Sequence, residues 1–223
     1  MSKTALVIGS SRGIGKELVN LFSNSNITCH AFARSEQGSN HDAVSHHFLD
    51  LNSHNVKAEF TKITDAIATF DYVIYNAGSI IVKPFTELTR NEIQDVYNVN
   101  VVAAMELLQV CIPKMAKDGH IVLISSMGGF QGTMKFAGLS AYSTSKAALA
   151  SLTELLAEEY KEAGFSINCL CLGSVQTEML EEAFPGYKAA HSAKEMASFI
   201  YDFTLNSGKY FKGKILPVSI STP

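Results

Sequence analysis

Thr4-Ala-Leu-Val-Ile8 runs directly into Gly9-Ser-Ser-Arg-Gly13-Ile-Gly15-Lys, which opens a segment of helical period from Ile14 to Asn24. An apolar run without alternation reads as a strand buried on both faces, the usual state of a strand in a parallel sheet. Three glycines in the turn that follows permit a sharp reversal and close approach of backbone to an anion, and the helix N-terminus behind them carries partial positive charge. The spacing G-x-x-x-G-x-G carries one residue more than the usual dinucleotide fingerprint. The stretch reads as the first half of a βαβ unit whose bend is either a plain turn or a nucleotide site, and its place as the first turn of such a unit favours the nucleotide.

Working outward, the same alternation recurs. Further β-rich runs are Ile27 to Ala33, Asp71 to Tyr75, His120 to Ile124, Phe165 to Cys171 and Ile215 to Val218. Between them lie helix-period segments at Val56–Thr69, Thr89–Met115, Tyr142–Ala163 and Ala193–Leu205. Strand and helix in turn call for an α/β fold, and right-handed crossovers make a doubly wound parallel sheet of Rossmann type, with helices on both faces, the expected architecture. No linker, repeat or low-complexity tract divides the chain. At 223 residues it is expected to form one domain over 1–223, long enough to bury a full core without staples.

Composition narrows the function. Lys and Arg number 18 against 21 Asp and Glu, a net charge of −3 without a basic block, so the footprint of a nucleic-acid binder is missing. No run approaches the roughly 18 apolar residues of a membrane span, and the first apolar run is too short for a signal peptide. Cys29, Cys111, Cys169 and Cys171 lack C-x-x-C spacing and read as buried small hydrophobes in a reducing, cytoplasmic setting. His41, His46, His47 and His54 cluster near Asp50 but repeat no ligand spacing, so no metal site is expected.

Two helices carry the residues of chemical interest. Thr89 and Glu92 form a capping-box pattern ahead of Ile93, Tyr97, Ala104, Leu107 and Cys111, and Asn100 falls in that apolar stripe. A buried amide must find partners, so by itself Asn100 reads as a backbone-bonded structural residue. The second helix follows Ser140, carries Leu149, Leu152, Leu156 and Tyr160, and is expected to end at Gly164. Near its start Tyr142-Ser-Thr-Ser-Lys146 places a phenol and an ammonium four apart on one helix side. A nearby cation favours the phenolate of a group whose free pKa is near 10, which makes the pair usable in general acid–base chemistry. Upstream, Ser125-Ser126 closes an apolar strand at the edge where open α/β sheets bind ligands.

The combined pattern resembles the short-chain dehydrogenase/reductase family over nearly the whole chain. The matching pieces are Gly9-x-x-x-Gly13-x-Gly15, Asp50-Leu51, Asn76-Ala77-Gly78, Val99-Asn100, Ser126, Tyr142-x-x-x-Lys146, and Gly173 with Thr177. By that resemblance Tyr142 is the general acid/base, and Lys146 binds the nicotinamide ribose and depresses the tyrosine pKa. Ser126 holds the substrate oxygen, and Asn100 supports a water in a proton relay, which replaces its structural reading. The implied cofactor contacts also include Ser11, Arg12, Ile14, Arg34 and Val175. The chain departs from the family pattern at Ile8, usually Thr; at Tyr75, usually the first Asn of Asn-Asn-Ala-Gly; at Leu172, usually Pro; and at Pro217-Val-Ser-Ile.

The expected activity is hydride transfer between a nicotinamide cofactor and a carbonyl/alcohol pair; a non-catalytic dinucleotide-binding sensor on the same fold is the rival. Ala33 stands where an acid would bind the ribose hydroxyls of NAD, while Arg34 and Arg12 suit a 2′-phosphate. NADP(H) is therefore expected over NAD(H), with Glu36 the one residue that could reverse the preference. The substrate site is expected from segments 126–141 and 177–192. Met127, Phe130, Met134, Phe136 and Leu139, with Met179, Leu180, Phe184 and Tyr187, give it apolar walls suited to a small or medium ketone, aldehyde or secondary alcohol. The segment 177–192 is short for a lid, so the pocket should be open on one side. Apolar excess on the helices at Thr89–Met115 and Tyr142–Ala163, together with the resemblance, implies a homodimer or homotetramer.

Overall fold

The structure is a computed structural model that describes residues 2–35 and 42–220. Glu36 and His41, each given weight above, lie outside the described residues. The elements run β1 (Lys3–Ile8), α1 (Gly13–Ser23), β2 (Ile27–Ala33), β3 (Val44–Phe48), α2 (Val56–Thr64), β4 (Phe70–Tyr75) and α3 (Arg90–Tyr97). A π-helical turn (Asn98–Val102) leads into α4 (Ala103–Cys111), followed by β5 (Met115–Ser126), α5 (Ser140–Glu159) and β6 (Ser166–Leu172). Then come β7 (Val175–Gln176), α6 (Glu178–Ala183), β8 (His191–Ser192), α7 (Ala193–Asn206) and β9 (Ile215–Val218).

Seven parallel strands pair in the order β3-β2-β1-β4-β5-β6-β9, with β7 and β8 forming a separate two-stranded ladder. This is the doubly wound Rossmann-type sheet. The two-residue period of each strand divides the core. On β1, Leu6 and Ile8 face one layer with Phe60, Leu107 and Leu149, while Ala5 and Val7 face the other with Leu18, Phe22 and Ile200. Every residue of β6 is buried, as a central parallel strand requires. Strand order reverses between β1 and β4, and the carboxyl ends on either side of that switch point form the crevice in which such sheets bind ligands.

Several boundaries differ from the sequence reading, each for a local reason. The helix expected over Thr89–Met115 contains the π turn, and after Pro113 the chain passes directly into β5. The α2 helix stops at Thr64 rather than Thr69, because Lys114 Nζ donates to the carbonyls of Thr64 and Ile67 at 2.9 and 3.2 Å and caps the end. The α5 helix closes at Glu159 with Tyr160 as its cap, so Gly164 (φ 91°) serves a later turn and not the helix end. The 25-residue helical stretch Arg90–Lys114 is apolar enough by composition to cross a membrane, against the sequence reading, but half of its most apolar window is buried inside the fold. Among the described residues no group of three or more His, Cys, Asp or Glu side chains could hold a metal ion.

Candidate active site

The glycine loop after β1 is shaped by steric necessity. Gly9 has φ +86°, and a Cβ there would lie 2.6 Å from the Ala77 backbone; a Cβ on Gly15 would lie 1.9 Å from the Gly9 carbonyl oxygen. Asn76 Nδ2 donates to that same carbonyl at 2.7 Å, which locks the loop to the end of β4. Arg12 is the N-cap of α1 yet makes no side-chain cap bond, and the first turn has no carboxylate. The first N–H groups of α1 are left to the cleft, the arrangement that receives a pyrophosphate.

Two connected hollows lie along the carboxyl edge. The smaller, about 80 Å³, is bounded by Gly9, Ser11, Arg34, Asp50, Leu51 and Ala77, together with Phe32 and Val99. The larger, about 630 Å³, takes in Ser11, Arg12, Gly13 and Ile14 from the loop and Asn76, Ala77 and Gly78 from β4. Its far side is formed by Ser126, Tyr142 and Lys146, and by Gly173, Val175 and Thr177. Gly15 lies beneath the loop. Asn100 is fully buried behind Gly78. The two arginines thus face different hollows: Arg34 lines the smaller, while Arg12 turns to α6 and forms a two-pronged ion pair with Glu182, Nη2 to Oε2 at 2.9 Å and Nη1 to Oε1.

At the floor of the larger cleft Tyr142 lies with Ser126, whose hydroxyl accepts the Gly128 N–H at 3.2 Å. Burial raises the Tyr142 pKa, and the neighbouring Ser126 hydroxyl opposes that rise in part. One helical turn on, Lys146 is buried and donates from Nζ to the Ile124 carbonyl at 2.9 Å. Burial lowers its pKa from 10.5 to about 8, with Cys169 and Cys171 pulling the other way. The net shift at the phenol is upward, because desolvation dominates there. Asn100 Oδ1 accepts the Ser79 N–H at 2.7 Å, and Nδ2 donates to the Ser79 carbonyl at 2.9 Å and Ser145 Oγ at 2.8 Å. Both amide hydrogens are committed to protein; one lone pair of Oδ1 remains. A Cβ on Gly78 would sit 3.4 Å from Lys146 Nζ and 3.7 Å from Asn100 Oδ1, so the missing side chain keeps open the gap between them.

Above this floor the walls are apolar. Met127, Met134, Phe136 and Leu139 line one side and Met179, Leu180, Phe184 and Tyr187 the other. Phe130, expected in the same series, packs against the core instead. Met134, Phe136 and Tyr187 are more than half exposed, which leaves the cleft open toward solvent. Sequence reasoning passed over Glu182, Ser79 and Ser145; only Ser145 carried a signal, its place between Tyr142 and Lys146.

The sequence profile of the short chain dehydrogenases matches residues 3–188. The ketoacyl reductase HetN of Nostoc is 32% identical over 190 residues, 79% of this chain and 65% of that protein. The 3-oxoacyl-[acyl-carrier-protein] reductase FabG of Aquifex aeolicus is 28% identical over 97% of this chain and 96% of its own length. A short chain dehydrogenase structure from Escherichia coli complexed with NADPH superposes with a TM-score of 0.86 at 27% identity, covering 96% of this chain and 95% of that one. With a doubly wound sheet, a glycine loop at its switch point and a Ser126–Tyr142–Lys146 floor, this chain belongs to the short-chain dehydrogenase/reductase family of oxidoreductases.

Proposed function

We propose that the protein is an NADP(H)-dependent oxidoreductase that interconverts a small or medium apolar carbonyl compound and its alcohol, with Tyr142 as the general acid/base. The observation that carries this reading is the convergence of Ser126, Tyr142 and Lys146 at the base of one apolar cleft, with the Lys146 ammonium buried one helical turn from the phenol. A dinucleotide fits the residues present: the uncapped amides of α1, the glycine approach and the hollow beside Arg34 suit its pyrophosphate and adenosine. When bound, the nicotinamide would supply or accept the hydride. Lys146 would hold the ribose, and Arg34 with Arg12 would favour a 2′-phosphate.

The chain's own part is the proton. In reduction the Ser126 hydroxyl positions the carbonyl oxygen and Tyr142 Oη gives it a proton; in oxidation the phenolate takes that proton back. Since burial raises the phenol's pKa, Tyr142 holds its proton at neutral pH and is set for reduction. The buried Lys146 ammonium stabilises the phenolate formed as the proton leaves, and Asn100, Ser79 and Gly78 frame the gap through which water can restore it.

Two attributes complete the proposal. The exposed Val102 and Met105 on the π turn and α4, with Leu155 on α5, favour pairing between copies as a homodimer or homotetramer. The location is cytoplasmic, in keeping with four free cysteines. A panel of ketones, aldehydes and acyl thioesters, followed by loss of NADPH absorbance, tests the activity. Turnover of apolar ketones or aldehydes is expected; a clear preference for carrier-linked acyl substrates overturns the substrate class, and cofactor binding without any turnover favours the sensor.

A further inference from the structure

Tyr75, the last residue of β4, is buried in the core layer that faces α4 and α5. Its hydroxyl donates to the Val99 carbonyl oxygen at 2.6 Å. Val99 lies in the π turn Asn98–Val102, where the hydrogen-bond register widens, as in Ala103 N–H to the Asn98 carbonyl. A single π turn inserts one residue into an α-helix and so displaces a carbonyl from its ordinary i+4 donor. The part-buried Val99 carbonyl receives a donor from the sheet in this phenol. Burial pushes the Tyr75 pKa upward, so the group remains a donor through the range in which the fold is stable.

The residue after Val99 is Asn100. Its side-chain amide is held at the other end of the same short segment, by the N–H and carbonyl of Ser79. Residues 75–79 therefore grip the turn twice, through the main chain at Val99 and through the side chain at Asn100. Asn76, between those grips, also holds the glycine loop through the Gly9 carbonyl. In the family pattern the position of Tyr75 is an asparagine, whose side chain is shorter by a ring.

We propose that Tyr75 is a positioning residue: its hydroxyl, by satisfying the Val99 carbonyl, holds the π turn in the register that sets Asn100 behind Gly78 and Lys146. The kinetic consequence rests on the reading of the cleft as a proton-transfer site; the positional claim does not.

Tyr75→Phe keeps the ring and removes one donor. Carbonyl reduction is expected to fall in kcat on the order of tenfold while KM for NADPH stays within about twofold, because a displaced Asn100 affects the proton step and not cofactor docking. In an Asn100→Ala background the same substitution should cost little more, since residues acting through one another are non-additive. Amide hydrogen exchange should quicken at residues 98–102, with β4 and β5 retaining their protection. Fully additive kinetic losses, or exchange that quickens across β4 as a whole, would make Tyr75 a plain core residue and overturn the proposal. So would unchanged exchange at 98–102. If the unsubstituted protein turns over no carbonyl substrate, the proposed activity falls, and the exchange measurement still decides the positional claim.

Discussion

Arg12 in the glycine loop and Glu182 on α6 form a two-pronged ion pair that ties the first turn of the nucleotide cleft to the short helix above it. Both side chains are about half exposed or more. Arg12 raises no barrier by burial, yet its guanidinium is already occupied, and it holds the Glu182 carboxyl below the ordinary carboxylate range. Glu178, at the start of α6, adds a second carboxylate within reach of the same cation. A cofactor phosphate that uses Arg12 must therefore take it from Glu182.

Glu182→Gln should consequently tighten NADPH binding. Exposed ion pairs contribute only about 0.2–1 kcal/mol, so the gain expected is at most about fivefold. NADH should gain less, because it lacks the 2′-phosphate that competes for the guanidinium. Fluorescence titration with each nucleotide checks this; equal gains for both would mean that Arg12 serves the pyrophosphate and not the 2′-phosphate.

Lys146 makes a second prediction, on stability. The folded protein gives up this proton at about pH 8, whereas an unperturbed lysine does so near 10.5. Between those values the unfolded chain binds more protons than the folded one, so the contribution of this site to stability rises with pH across that window and is flat outside it. The rise is of order 3 kcal/mol. Urea unfolding of the cofactor-free protein should gain that much on the Lys146→Met variant between pH 8 and 10.5. Parallel profiles would mean that the ammonium is better solvated than its burial implies.

The sheet and the glycine loop could be read from sequence because their signals are local: an unbroken apolar run, a glycine turn and a helical period adjoin within Thr4–Asn24. Tyr142, Lys146 and Ser126 stood out only as parts of the combined family pattern, since the spacing of any one of them is unspecific. What escaped was long-range. Arg12 and Glu182 meet across 170 positions and Tyr75 and Val99 across 24, and no periodicity encodes such partners. The π turn escaped for the same reason, since the phenol that meets its Val99 carbonyl comes from another element. Phe130 and Met134 look alike as apolar loop residues, and only packing sends one to the core and the other to the cleft.

Gly78→Ala tests the gap between Lys146 and Asn100. The added methyl would meet Lys146 Nζ at 3.4 Å and Asn100 Oδ1 at 3.7 Å, ordinary contact distances that require no rearrangement of the fold. Thermal stability should change little. Turnover should fall on the order of tenfold, the scale of one displaced participant in general acid–base catalysis, because the space for a bridging water is filled. Unimpaired kcat would remove this gap from the proton path.

Tyr142→Phe and Lys146→Met should separate the two halves of the mechanism. The phenylalanine keeps the ring at the cleft floor but has no proton to give, so cofactor affinity should persist while kcat for carbonyl reduction falls by about 10² to 10⁴ or more. The methionine should weaken both, since the ammonium is placed to bind the ribose as well as to stabilise the phenolate. Alcohol oxidation by the unsubstituted enzyme should climb with pH as the phenolate forms. Burial holds the phenol above its ordinary value, so that climb should continue through pH 9, while reduction stays level across the neutral range where Tyr142 remains protonated. Stopped-flow and steady-state assays with NADPH and an apolar ketone measure each part. If Tyr142→Phe retains most of its reductase activity, the proton comes from elsewhere, and the placing of Ser126 beside Tyr142 is architecture alone.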